Sequence, residues 1–95
     1  MQVIITEEAE QSLDEIIDYL RQNWSQLVID KFIENIKLTI NRIQKFPNSF
    51  PVSNFVNAQR ALVSKQVVMF FKVEENRIIV LLFWDARQNP EKLKI

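Results

Sequence analysis

The strongest constraint in this chain is a change of period: two apolar stripes at helical spacing give way, past a proline, to apolar residues spaced in twos. Ala9, Leu13, Ile16, Ile17, Leu20 and Trp24 recur at steps of 4, 3, 1, 3 and 4, the signature of a one-sided helix. Thr6 stands where an N-cap belongs, and Glu7, Glu8 and Glu10 follow it, where carboxylates favour the positive end of the helix dipole. The pattern predicts a helix over 7–23. Ser25 offers the next cap. Ile29, Phe32, Ile33, Ile36, Ile40 and Ile43 then repeat the spacing up to Phe46, and Pro47 ends the run. So short a connection implies an antiparallel αα-hairpin with both stripes facing one core.

Residues 47–58 carry no period and two prolines, Pro47 and Pro51. They are expected to form a loop pinned to the body by Phe50 and Phe55. From Gln59 the period is two, and strands are expected over 59–64, 67–73 and 77–84, with turns near Lys65-Gln66 and Glu74-Glu75-Asn76. The chain has no glycine, so Asn76 is the natural occupant of a left-handed turn position. The β-branched run at 2–5 supplies a first strand. The order β-α-α-β-β-β predicts an α+β fold of two layers, one antiparallel sheet with a helical hairpin on one face. A chain of 95 residues is long enough for one core, so a single domain over 1–95 is expected. The polar tail from Asp85 to Ile95, broken by Pro90, is expected to end in a helical turn.

Strand alternation sorts the sheet residues by face. In the third strand Val67, Met69, Phe71 and Val73 point one way and Val68, Phe70 and Lys72 the other. In the last strand both sets are apolar: Ile78, Val80, Leu82 and Trp84 against Ile79, Leu81 and Phe83. Two helices cover one face of a four-stranded sheet. Either the second face, with Val68, Phe70 and Trp84, is an uncovered partner site, or the 47–58 segment folds over it, or the last strand is simply central in the sheet.

Absences remove most enzyme chemistry. Without cysteine or histidine there is no thiolate nucleophile, zinc knuckle, Ser-His-Asp triad or imidazole-based ribonuclease chemistry. Without glycine there is neither a P-loop nor a dinucleotide fingerprint. Cofactors and bound metals are therefore not expected. The 12 basic and 12 acidic residues cancel, unlike the basic excess of an autonomous nucleic-acid binder. Charge is uneven along the chain: counting residues 1–46 gives eight acids against five bases, and 47–95 four against seven. The apolar run Val3-Ile4-Ile5 is too short for a signal peptide or a membrane span, so a cytoplasmic location is expected.

Three cations, Arg60, Lys65 and Arg87, sit where strands and turns gather charge near the second face. Together they are the candidate catalytic set for RNA cleavage, holding phosphates and stabilising a pentavalent phosphorane; the alternative is that they are solvated strand-end charges. Asp85-Ala86-Arg87-Gln88-Asn89-Pro90 directly follows the last apolar strand, a place where sites are often built. The acids of the first helix read as a solvated face.

These pieces, taken together, resemble the ParE/RelE superfamily of bacterial type II toxins. The resemblance runs over about residues 2–93. It is carried by Ala9…Leu13…Ile16…Tyr19-Leu20…Trp24, by Phe32…Ile36…Ile40…Ile43…Phe46-Pro47, by Arg60-Ala61-Leu62-Val63, and above all by the stretch from Phe83 to Leu93. The resemblance implies a toxin paired with a small antitoxin, in plasmid stabilisation among other settings. RelE-like members are ribosome-dependent mRNA endonucleases; ParE-like members share the fold and poison DNA gyrase. Arg60, Lys65 and Arg87 fall where RelE-like enzymes place cationic site residues. The C-terminal aromatic of the nuclease pattern falls near Leu93, and Asp85 fills a position where other nucleases carry histidine. These departures favour the ParE-like branch.

The expected function is thus a ParE-like toxin that inhibits a topoisomerase by docking on it and is neutralised by a cognate antitoxin. Val68, Phe70, Trp84, Asp85, Arg87, Gln88 and Asn89 are the expected target- or antitoxin-binding residues. The alternatives are a RelE-like endonuclease acting on ribosome-bound mRNA and a binding module without toxicity. The open patch also offers a face for a homodimer or a toxin–antitoxin hetero-oligomer.

Overall fold

The computed structural model describes residues 1–54 and 56–86. Along the chain run β1 (Gln2–Ile5), α1 (Glu7–Asn23), α2 (Gln26–Lys45), a 3-10 turn (Pro47–Ser49), β2 (Gln59–Leu62), β3 (Val67–Glu74) and β4 (Arg77–Asp85). Both helices begin where capping residues predict. Thr6 Oγ1 accepts the Ala9 N–H at 3.1 Å, whereas Ser25 occupies the cap of α2 without a side-chain capping bond. The expected tail turn and Phe55 lie outside the described residues.

The architecture is α+β, two helices on a four-stranded sheet of order β1-β4-β3-β2. β2, β3 and β4 pair antiparallel, as expected, but β1 runs parallel to β4, so the sheet is mixed. The hairpin explains this. α1 carries on in the direction of β1, with Thr6 beside Leu81 and Ser12 beside Phe83. α2 then returns the chain, and β2 starts out parallel to β1. Two further reversals leave β4 parallel to β1 as well.

The core between the layers holds Ala9, Phe32, Ile36 and Ile43 from the helices against Met69, Phe71, Ile78 and Val80. Phe50 packs edge-on against Phe71, ring centroids 5.7 Å apart, so the loop is anchored there as expected. The alternation in β3 holds. In β4 it does not, because the partner of β3 jumps from Leu82 opposite Phe70 to Val80 opposite Phe71. Leu81 is the extra residue of a β-bulge, and past it the facing parity inverts. Ile78, Val80 and Phe83 therefore all lie in the helix-facing core, while Leu81, Leu82 and Trp84 pack on the other side.

That second side is not the open patch the alternation allowed for. Val56 and Ala58, from the segment before β2, cover Phe70, which is 3% exposed. The expectation of an accessible Phe70 is overturned: the 47–58 segment folds across the sheet, held by Arg60 N–H to Pro51 O and Ser53 N–H to Ala58 O. Among the described residues no helix is long and apolar enough to cross a membrane.

Candidate functional site

The uncovered part of the second face is a row across three strands: Leu62 opposite Val68 and Val68 opposite Trp84. Leu62 is 57% exposed, and Val68 and Trp84 are half-buried. The row lies just beyond the ladder of Arg60, Phe70 and Leu82, where the 47–58 segment stops covering the sheet. Apolar surface therefore meets solvent close to the point where the described chain ends at Ala86.

Asp85 pairs with Val67 at the end of β4 and is partly exposed, with an interaction of its own. It lies between two hollows. One, of about 440 Å3, opens between α1 and the end of β4 and is bounded by Ser12, Glu15, Tyr19 and Trp84. The other, of about 330 Å3, opens between the helices and the β2–β3 turn. Ile16, Tyr19 and Asp85 border both.

Of the candidate cations, the two that are described, Arg60 and Lys65, do not gather. Arg60 is exposed on β2 opposite Phe70, on the second face. Lys65 is exposed in the β2–β3 turn and borders the second hollow together with Lys31, a hollow that Arg60 does not reach. Arg87, Gln88 and Asn89 lie outside the described residues. Among the described residues no group of His, Cys, Asp and Glu is placed to hold a metal ion.

Two features escaped the sequence reading. Trp24 belongs to the apolar stripe of α1 yet is 57% exposed, because it is the C-cap residue and leaves the helix in an extended conformation. Thr6 and Ser12 tie α1 to the bulge: Thr6 Oγ1 donates to Leu81 O, and Ser12 Oγ accepts the Phe83 N–H. Only the Thr6 cap had a local sequence signal.

Comparisons with known proteins agree with this architecture. No curated protein sequence matches the chain significantly. Among solved structures, the YoeB–YefM complex from Staphylococcus aureus aligns with a TM-score of 0.59 at 13% identity, over 88% of this chain and 94% of that one. A heterotetrameric YoeB–YefM toxin–antitoxin complex from the same organism aligns at 0.59 and 14%, with the same coverage. A copper-bound mutant toxin from Helicobacter pylori aligns at 0.58 and 11%, over 92% of this chain and 96% of that one. At such identities the likeness establishes a shared fold. The family match goes further: the ParE toxin of type II toxin–antitoxin system, parDE, matches residues 3–90. The chain belongs to the ParE family of type II toxin–antitoxin toxins.

Proposed function

We propose that this protein is a toxin that acts by docking on a topoisomerase, DNA gyrase in the first instance, and is silenced by a cognate antitoxin in the cytoplasm. The observation that carries the docking reading is the Leu62–Val68–Trp84 row, apolar surface left uncovered beside a face otherwise capped by its own loop. A contiguous apolar row that keeps one side chain exposed and two half-buried favours contact with another macromolecule. The chemistry of the chain supports docking over turnover. No imidazole or thiol is available anywhere in it, and the hollow between the helices and the β2–β3 turn that Lys65 borders is not bordered by Arg60. The antitoxin partner is supported by family membership and by neighbours whose structures pair YoeB with YefM.

Two assays on the purified chain test the reading together: gyrase supercoiling of relaxed plasmid, and cleavage of ribosome-bound mRNA. Inhibited supercoiling with intact message is the expected result. Cleaved message with unaffected supercoiling overturns it in favour of an endonuclease using Arg60, Lys65 and Arg87. Silence in both favours a binding module without toxicity.

A further inference from the structure

The hollow of about 440 Å3 between α1 and the end of β4 exists because β1 stops short. β1 ends at Ile5, opposite Val80, while β4 runs on to Asp85. Beyond Val80 the first half of α1 takes the place of a neighbouring strand, and Ser12 is the tie. Its hydroxyl accepts the Phe83 N–H at 3.0 Å and donates to Ala9 O. Ser12, Glu15 and Tyr19, at steps of three and four along one helix face, form one wall. Trp84 and Asp85 belong to the other. The Ser12 bond holds the two walls together, so the hollow is formed before anything enters it. Its volume lies in the range of roughly 300–1,000 Å3 usual for ligand sites.

The chemistry of these walls is one-sided. Two carboxylates, Glu15 and Asp85, border the hollow, and no lysine or arginine among the described residues does. The hollow between the helices and the β2–β3 turn differs, with Lys31 and Lys65 on its rim. Glu15 is exposed and makes no ion pair among the described residues, where the pairs are Arg21–Asp18 and Arg77–Glu75. Asp85 has an interaction of its own, but a carboxylate offers roughly four lone-pair sites, so one partner does not exhaust it. Two aromatic side chains complete the contrast: Tyr19, 43% exposed, and the half-buried Trp84. Trp84 also ends the uncovered apolar row, so row and hollow form one continuous surface.

We infer that this hollow takes the guanidinium of an arginine side chain presented by the protein on which the chain docks. The inference deepens the docking reading, on which it rests for the source of the arginine. Charge fixes the sign of the occupant: two carboxylates with no cation of the described chain beside them attract positive charge and repel phosphate. The aromatic walls choose among cations. A guanidinium is planar and weakly hydrated, stacks on tryptophan and tyrosine rings, and carries a fork of donors that reaches more than one carboxylate. A lysine ammonium is a compact, strongly hydrated point charge that gains less from the rings. A divalent cation gains nothing from them, and the described residues offer no group of three ligands to hold one. Tryptophan, tyrosine and arginine dominate the energy of protein interfaces. This surface supplies the first two, and the partner's arginine supplies the third.

The test titrates the full 95-residue chain with N-acetyl-arginine amide at low salt, followed by heteronuclear NMR. The citrulline and lysine amides stand beside it as the neutral isostere and the alternative cation. The arginine probe is expected to give saturable shifts at Glu15, Tyr19, Asp85 and the Trp84 indole, with the lysine amide weaker and the citrulline amide silent. Glu15→Gln and, separately, Asp85→Asn are each expected to weaken the arginine probe about threefold or more. Glu34→Gln, on α2 and away from the hollow, is expected to leave it unchanged. Circular dichroism checks that the variants fold, and the exposed Glu15 serves if Asp85→Asn does not. No saturable shift at these residues, equal binding of the citrulline or lysine amide, or indifference to both substitutions overturns the inference. A gain of about tenfold in probe affinity in Arg87→Gln overturns it too, making the chain's own arginine the occupant. The double variant is also expected to bind immobilised gyrase more weakly, and undiminished binding counts against the inference. Failure of the topoisomerase reading registers separately: the unaltered chain takes the arginine probe as expected, which upholds the hollow's assignment, yet does not bind gyrase.

Discussion

The Ser12 hydroxyl accepts the Phe83 backbone N–H at 3.0 Å, two residues past the bulged Leu81. The same hydroxyl donates to Ala9 O at 2.9 Å, and Thr6 Oγ1 donates to Leu81 O at 3.3 Å. A bulge breaks the strand ladder, and here the first turns of α1 supply partners to β4 on both sides of the break. The bulge in turn sets the parity that sends Phe83 into the core and Trp84 to the other face. Ser12→Ala leaves a partly buried N–H unsatisfied and is expected to cost about 1–3 kcal/mol in urea unfolding. Hydrogen exchange at Phe83 should accelerate more than at Phe71. Unchanged exchange at Phe83 would show that the bulge holds without α1.

Phe70 is a structural residue of the second face. Its ring lies under Val56 and Ala58, so Phe70→Ala is expected to lose about 3–5 kcal/mol, as buried aromatic truncations do. A loss below about 1 kcal/mol would mean that the 47–58 segment lifts off the sheet in solution.

Leu62 is the complementary case. At 57% exposure, Leu62→Ser should alter stability by about 0.5 kcal/mol or less yet reduce inhibition of gyrase supercoiling. Full inhibition by the variant would remove the uncovered row from the proposed docking surface.

The β3–β4 turn carries two left-handed residues, Glu75 at φ 50° and Asn76 at φ 62°. Asparagine tolerates this conformation, and glutamate does so at a cost of roughly 1–2 kcal/mol. Glu75→Asn is expected to stabilise the protein by about 0.5–1 kcal/mol in chemical denaturation. The lost Arg77–Glu75 pair subtracts little, since its carboxylate side chain is 83% exposed. A variant less stable than the parent would show that the ion pair outweighs the backbone strain.

The two helices, the stop at Pro47, the three C-terminal strands and the left-handed Asn76 were legible because each depends on neighbours within a few residues. Helical spacing from Ala9 to Leu20 and alternation from Val67 to Val73 both survive folding intact. The charged candidates were less legible. Arg60 and Lys65 are five residues apart in the chain yet stand on different sides of the sheet edge, since the strand ends between them and the turn carries Lys65 towards α2.

Local pattern alone determined that this chain makes a helical hairpin and a small sheet, and that it does no imidazole or thiol chemistry. Tertiary structure decided which apolar residues stay hidden. One extra residue at Leu81 swaps the faces of β4, and a twelve-residue segment, 47–58, chooses to cover Phe70 while leaving Leu62 bare. Neither outcome is written in a period, because each depends on strands and loops brought together from distant parts of the chain.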